Sequence, residues 1–125
     1  MKKLLFLLAA IGVVVLWGFW NKAPANVDEM LLPNEIYVFI QKGCPHCWAA
    51  EEYLKETYPD LTVQYKDIAN SNNRQLFYAC GAKFGLNKVT MGTPLICMGN
   101  HYTLGWSAAE QAKFDSYVQE FLPKE

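Results

Sequence analysis

The side chains best suited to chemistry in this sequence lie in one short run, Gly43-Cys44-Pro45-His46-Cys47. Two cysteines with two residues between them can close a disulfide with little movement of the backbone. If a helix begins at the first of them, Cys44 lies where unpaired backbone N–H groups and the positive end of the helix dipole favour a thiolate. The thiolate is the form that attacks disulfides, so the pattern points to thiol–disulfide exchange. Cys44, at the accessible tip, is then the attacking sulfur, and Cys47, further into the helix, resolves the mixed disulfide. Pro45 suits the opening turn, because the N–H it lacks has no intrahelical partner there. His46 has two readings: a solvated surface imidazole, or a group that helps to stabilise the Cys44 thiolate.

A metal is the competing use for the same sulfurs. Structural zinc takes four ligands, commonly from two such pairs, and no second Cys-x-x-Cys exists in the sequence. A thiophilic ion such as copper(I), held by Cys44, Cys47 and His46, stays open as an alternative. The other cysteines, Cys80 and Cys97, fall on inward-facing positions of an expected helix and strand. A structural disulfide or close thiol pair is one reading, and free buried cysteines are the other. Neither sits at a helix start, which argues against a second redox pair.

Cys44 must be positioned by an element before it and another after it. Ile36-Tyr37-Val38-Phe39-Ile40 is apolar without alternation, the pattern of a central strand covered on both faces and paired in parallel. A helix is expected from Cys44 to Thr57, with Cys47, Ala50, Leu54 and Tyr58 on its inward face and Pro59 at its end. Leu61–Ile68 alternates and reads as a second strand. Asn70 or Ser71 can cap a helix over Asn72–Phe84, closed by Gly85, with Leu76 or Phe77, Cys80 and Phe84 facing inward. After a loop, Thr93-Pro94 leads into a strand over Leu95–Met98. Gly99-Asn100 is a two-residue hairpin signal, and His101–Leu104 returns antiparallel. Ser107 with Glu110 forms a capping box that opens a last helix reaching Leu122, with Phe114, Val118, Phe121 and Leu122 buried. The order βαβαββα implies an α/β fold with one mixed four-stranded sheet and three helices on its two faces.

Hydrophobic residues make up 52% of the 125 positions, above the usual share of about 45–50%. The excess sits in Leu4–Trp20, an uncharged run behind Met1-Lys2-Lys3 that reads as an N-terminal hydrophobic helix. Residues 1–25 are expected as a signal peptide or membrane anchor, 26–34 as a polar linker, and 35–125 as the folded domain. Ala23-Pro24-Ala25 fits a cleavage site. The run's length and the aromatics Trp17, Phe19 and Trp20 at its outer end favour a retained anchor. Either reading places the domain outside the cytoplasm, on the periplasmic side, where disulfides persist. With Lys2, Lys3 and Lys22 set aside, 8 basic residues face 12 acidic ones, so the exported part carries about −4. That charge, and the absence of any basic run, speak against nucleic acid as a partner.

Cys44-Pro45-His46-Cys47 after a buried strand, together with Thr93-Pro94 before a hairpin, resembles the thioredoxin superfamily over Glu35–Leu122. The layout, with no extra leading strand and helix, is similar to that of the glutaredoxins. The Pro-His pair between the cysteines is similar to that of the DsbA-type disulfide oxidases, whose helical insertion has no room here. The resemblance implies a thioredoxin-like fold and a cis Thr93–Pro94 bond opposite Cys44, where the Thr93 backbone can pair with a substrate strand. It also implies no cofactor beyond the Cys44–Cys47 disulfide, and oxidation of substrates as the favoured direction. A reductase or isomerase is the alternative within the same chemistry.

Two departures bear on the substrate. Glutaredoxins carry a basic residue where this chain has Gln41, with Lys42 displaced by one. The acidic segment that opens their last helix and holds glutathione is replaced by Gly105-Trp106-Ser107-Ala108. Glutathione is therefore disfavoured, and protein thiols are the expected partners, with a separate redox partner that could be membrane-bound. Trp48, on an outward position beside the cysteines, is the expected substrate contact. Trp106, Tyr78 and Phe77 read as packing residues, and His101 as solvated.

Overall fold

Alternate residues of the strand Ile36–Ile40 (β1) enter two different cores, which is why this run is apolar without a break. Tyr37 and Phe39 face one side, and Ile36 and Val38 the other. The structure is a computed structural model and describes residues 30–123. The apolar stretch Leu4–Trp20 and the Ala23-Pro24-Ala25 step lie outside the described residues. No helix among the described residues is long and apolar enough to cross a membrane.

After β1 come the helix Pro45–Thr57 (α1), the strand Gln64–Asp67 (β2) and the helix Ser71–Lys83 (α2). The hairpin Leu95–Met98 (β3) and His101–Leu104 (β4) follows, then the helix Ala108–Tyr117 (α3) with a short 3-10 turn at Val118–Glu120. The sheet order is β2-β1-β3-β4. β1 is parallel to β2, with Val38 opposite Tyr65, and antiparallel to β3, with Val38 opposite Ile96. The two flanking layers divide cleanly. Phe77 and Cys80 of α2 cover Phe39, Leu95 and Cys97. Leu54 of α1 and Phe114 of α3, with Val118 beyond it, cover Val38, Ile96 and Met98.

The second strand is shorter than its alternating sequence suggests, four residues rather than the eight of Leu61–Ile68. β1 pairs with it only through Tyr37–Ile40, opposite Gln64–Asp67. Leu61 and Val63 still pack against the core, but from a loop. Leu31, in the stretch read as linker, is buried in the α2-side core, and the Leu32 N–H donates to the Tyr37 hydroxyl at 3.1 Å.

Gly99 turns the β3–β4 hairpin at φ +61°, and a Cβ there would stand 3.0 Å from the Pro33 carbonyl oxygen. Both facts require glycine. At the start of α3 the Ser107 hydroxyl accepts the Glu110 N–H at 3.3 Å. The Glu110 carboxylate does not complete the box; it accepts the Leu104 N–H at 3.1 Å, pinning the end of β4 to the helix start.

Among the described residues, one buried side-chain polar group lacks a partner. The Thr103 hydroxyl of β4 is fully buried and makes no hydrogen bond. It sits opposite Ile96, hence on the α3 side of the sheet. A buried donor without a partner costs about 1–3 kcal/mol. Thr103→Val keeps the shape and removes the hydroxyl, so urea denaturation should show a gain of about 1 kcal/mol.

Candidate active site

Cys44 is the N-cap of α1, with extended backbone at φ −99° and ψ 104°. Its Sγ takes the place of a serine or aspartate oxygen in such a cap, accepting the Cys47 N–H at 3.2 Å. Pro45 occupies the first helical turn. Cys44 and Cys47 are joined by a disulfide across a Cα–Cα distance of 5.2 Å. The two sulfurs differ in access: Cys44 is half-buried at the helix tip, whereas Cys47 is 1% exposed. An incoming thiolate meets Cys44.

The segment before β3 closes the site from the other side. Thr93–Pro94 is a cis peptide, and Pro94 is fully buried, its carbonyl accepting the Gly105 N–H at 2.8 Å. The Thr93 hydroxyl lies 3.6 Å from Cys44 Sγ and donates to it. The Thr93 carbonyl oxygen lies 3.7 Å from the same sulfur. In the disulfide that sulfur carries no proton, so the carbonyl contact becomes a hydrogen bond only in the reduced thiol. In the thiolate, the Cys47 N–H and the Thr93 hydroxyl are the two donors aimed at the charge, and a charged acceptor strengthens both.

His46 is exposed, and no hydrogen bond links its ring to Cys44 among the described residues. Trp48 sits one turn below Cys44, its N–H donating to the Cys44 carbonyl at 3.2 Å, with its side chain 63% exposed. Gln41 and Lys42 are exposed beside the site. The role of the Thr93 hydroxyl is absent from the sequence reading, which gives Thr93 only a backbone function. The signal available was its chemistry, a donor at the one position placed opposite Cys44.

Cys80 and Cys97 are also disulfide-bonded, with a Cα–Cα distance of 6.5 Å. They are 0% and 4% exposed and lie in the α2-side core with Phe39 and Phe77. One pair therefore stands at a helix tip, and the other is sealed inside.

The remaining aromatics pack. Trp106 lies against Tyr53, with ring centroids 5.5 Å apart, and against Phe114. Phe77 meets Phe39 edge-on, and Lys88 covers Tyr78. His101 is more than solvated: it stacks on Tyr117 at 4.2 Å and stands 3.3 Å from Glu120. Below the site, Asp115 of α3 accepts hydrogen bonds from Tyr53 at 2.8 Å and Tyr58 at 2.7 Å. Desolvation first, and the Asp115 carboxylate second, hold both phenols above their ordinary pKa of 10.0.

No family model matches the sequence, and no curated protein matches it. Among solved structures the fold is similar to that of a buckwheat glutaredoxin crystallised in complex with glutathione, with a TM-score of 0.53 at 15% identity. The likeness covers 76% of this chain and 84% of that one. The mixed four-stranded sheet with its three helices is thus a thioredoxin-like α/β fold.

Proposed function

We propose that this protein is an extracytoplasmic thiol–disulfide oxidoreductase that donates the Cys44–Cys47 disulfide to protein thiols. The observation that carries the reading is the asymmetry of the pair: a reachable Cys44 bonded to a buried Cys47, with two donors on the Cys44 sulfur. A substrate thiolate attacks Cys44 Sγ, the Cys44–Cys47 bond breaks, and Cys47 leaves as the thiolate. The substrate's second thiol, deprotonated, attacks its own sulfur in the mixed disulfide and expels the Cys44 thiolate. The substrate has lost two electrons, and the protein holds them as a dithiol that a separate partner must reoxidise.

The direction follows from charge. Whatever stabilises the Cys44 thiolate stabilises the reduced protein and makes its disulfide a stronger oxidant. The Cys47 N–H and the Thr93 hydroxyl act in that sense, and the Pro-His pair of the DsbA-type oxidases supports it. Trp48, exposed beside Cys44, is the surface a substrate would meet. Glutathione, bound by the buckwheat glutaredoxin, fits this chain less well. Gln41 stands at the basic position, and Ser107 spends its hydroxyl on capping α3 where the acidic segment would be.

Equilibration of the protein in glutathione redox buffers, followed by alkylation and mass spectrometry, tests the reading. Two thiols of four should appear, those of Cys44 and Cys47, with Cys80–Cys97 intact. The midpoint should lie well above the roughly −270 mV of thioredoxin. A midpoint at or below that value reverses the direction and makes the protein a reductant. The tether implied by Leu4–Trp20 is tested by fractionation: the full chain should sediment with membranes and leave them only in detergent.

A further inference from the structure

We propose that one turn of α2 sets the reactivity of Cys44 by clamping the Thr93 segment at both ends, through Gly81 upstream and Cys80 downstream. Thr93 sits in a stretch between α2 and β3 that has no ladder partner of its own, and Gly92 before it is exposed. Two ties hold this stretch. Two residues before Thr93, the Met91 thioether lies against the bare Cα of Gly81, where a Cβ would collide with its Sδ and Cε. Three residues after Pro94, Cys97 is covalently bonded to Cys80. The anchoring residues are neighbours in α2, and α2 is seated on the sheet by Phe77 against Phe39.

The clamp matters because of what it delivers. The Thr93 hydroxyl reaches Cys44 Sγ at 3.6 Å, near the outer limit for a sulfur acceptor, where a small displacement removes the bond. The Cys80–Cys97 disulfide and Met91 are thus positioning groups, acting on Cys44 through Thr93. A disulfide that only stabilises the fold, or a methionine that only fills the core, would affect melting and leave that hydrogen bond alone. The proposal rests on the reading of Cys44 as the reactive sulfur, but its readout needs no turnover.

The test is a double-mutant cycle on the full chain with Cys44–Cys47 reduced, following alkylation of Cys44 by iodoacetamide at mildly acidic pH, where the rate reports the thiolate fraction. Thr93→Val in the native background should slow alkylation about tenfold, the value of one hydrogen bond to a charged group. In the Cys80→Ala/Cys97→Ala background the same substitution should change the rate less than about threefold, because the hydroxyl is no longer held in place. Met91→Ala should blunt it in the same way. A Thr93→Val effect that stays tenfold in either background overturns the clamp, as does no effect in the native one. If the double cysteine variant does not fold, the Met91→Ala cycle decides alone. A protein that shows the coupling yet exchanges no disulfides with protein substrates overturns the oxidoreductase reading and leaves the clamp standing. Exchange without coupling does the reverse.

Discussion

On the proposed function, Cys44→Ser should reduce disulfide exchange to background, a loss on the order of 10³-fold or more for a covalent nucleophile, whereas Cys47→Ser should yield a protein locked to its substrate. The two outcomes follow from access and order of attack. With Cys44 gone, the remaining thiol of the pair is Cys47, which is 1% exposed and packed under the first turn of α1. No substrate sulfur can approach it in line. With Cys47 gone, Cys44 keeps its place at the N-cap and its donors. It still attacks a substrate disulfide, but no neighbouring thiol is left to resolve the product. Non-reducing electrophoresis of a mixture with a disulfide-bearing protein should show a covalent adduct for Cys47→Ser and none for Cys44→Ser. Mass spectrometry should place the linkage on Cys44. Retained exchange in Cys44→Ser would remove the basis for the whole assignment.

What could be read before the structure was whatever is encoded locally. The unbroken apolar run of β1, the proline after Cys44, the Gly99-Asn100 turn and the Ser107 cap each act over a few residues, and each appears where its chemistry puts it. What could not be read depends on register. Cys97 faces Cys80 because β1 and β3 pair with Tyr37 opposite Cys97, which turns that residue toward α2. A slip of one residue would turn it to the other face, and neither strand's sequence states the pairing. The length of β2 likewise depends on pairing, since its ladder with β1 holds only four positions.

The candidate site divides along the same line. The disulfide between Cys44 and Cys47 spans three positions and was legible from spacing. The Thr93 hydroxyl reaches the same sulfur across a separation of 49 residues and was not. For His46 the sequence allowed two roles, and the structure gives its exposed ring no hydrogen bond to Cys44. Any effect its imidazole has on the thiolate is then exerted through space and not through a direct hydrogen bond.

Asp115→Ala should lower stability by about 2–3 kcal/mol, far more than the loss of an ordinary surface carboxylate, which stays within about 0.5 kcal/mol. Its carboxylate is half-buried between α1 and α3 and accepts both the Tyr53 and Tyr58 hydroxyls. Alanine leaves two phenols without their acceptor in a pocket walled by Trp106 and Phe114. The pH dependence separates this clasp from simple packing. Tyr58 is held above its ordinary pKa of 10.0 by desolvation first and by Asp115 second, so the fold prefers the neutral phenol. A raised folded-state pKa contributes stability that is complete below the unfolded value and is lost as pH climbs above it. The native protein should therefore keep the full contribution at neutral pH and weaken progressively above about pH 10. Tyr58→Phe removes the titrating proton, so its stability should fall less steeply over that alkaline range, while at neutral pH it lacks the bond to Asp115. Urea denaturation at neutral pH and above pH 10 checks both. Equal alkaline slopes for the native protein and Tyr58→Phe would mean that the phenol is not held in the neutral form by its place between α1 and α3.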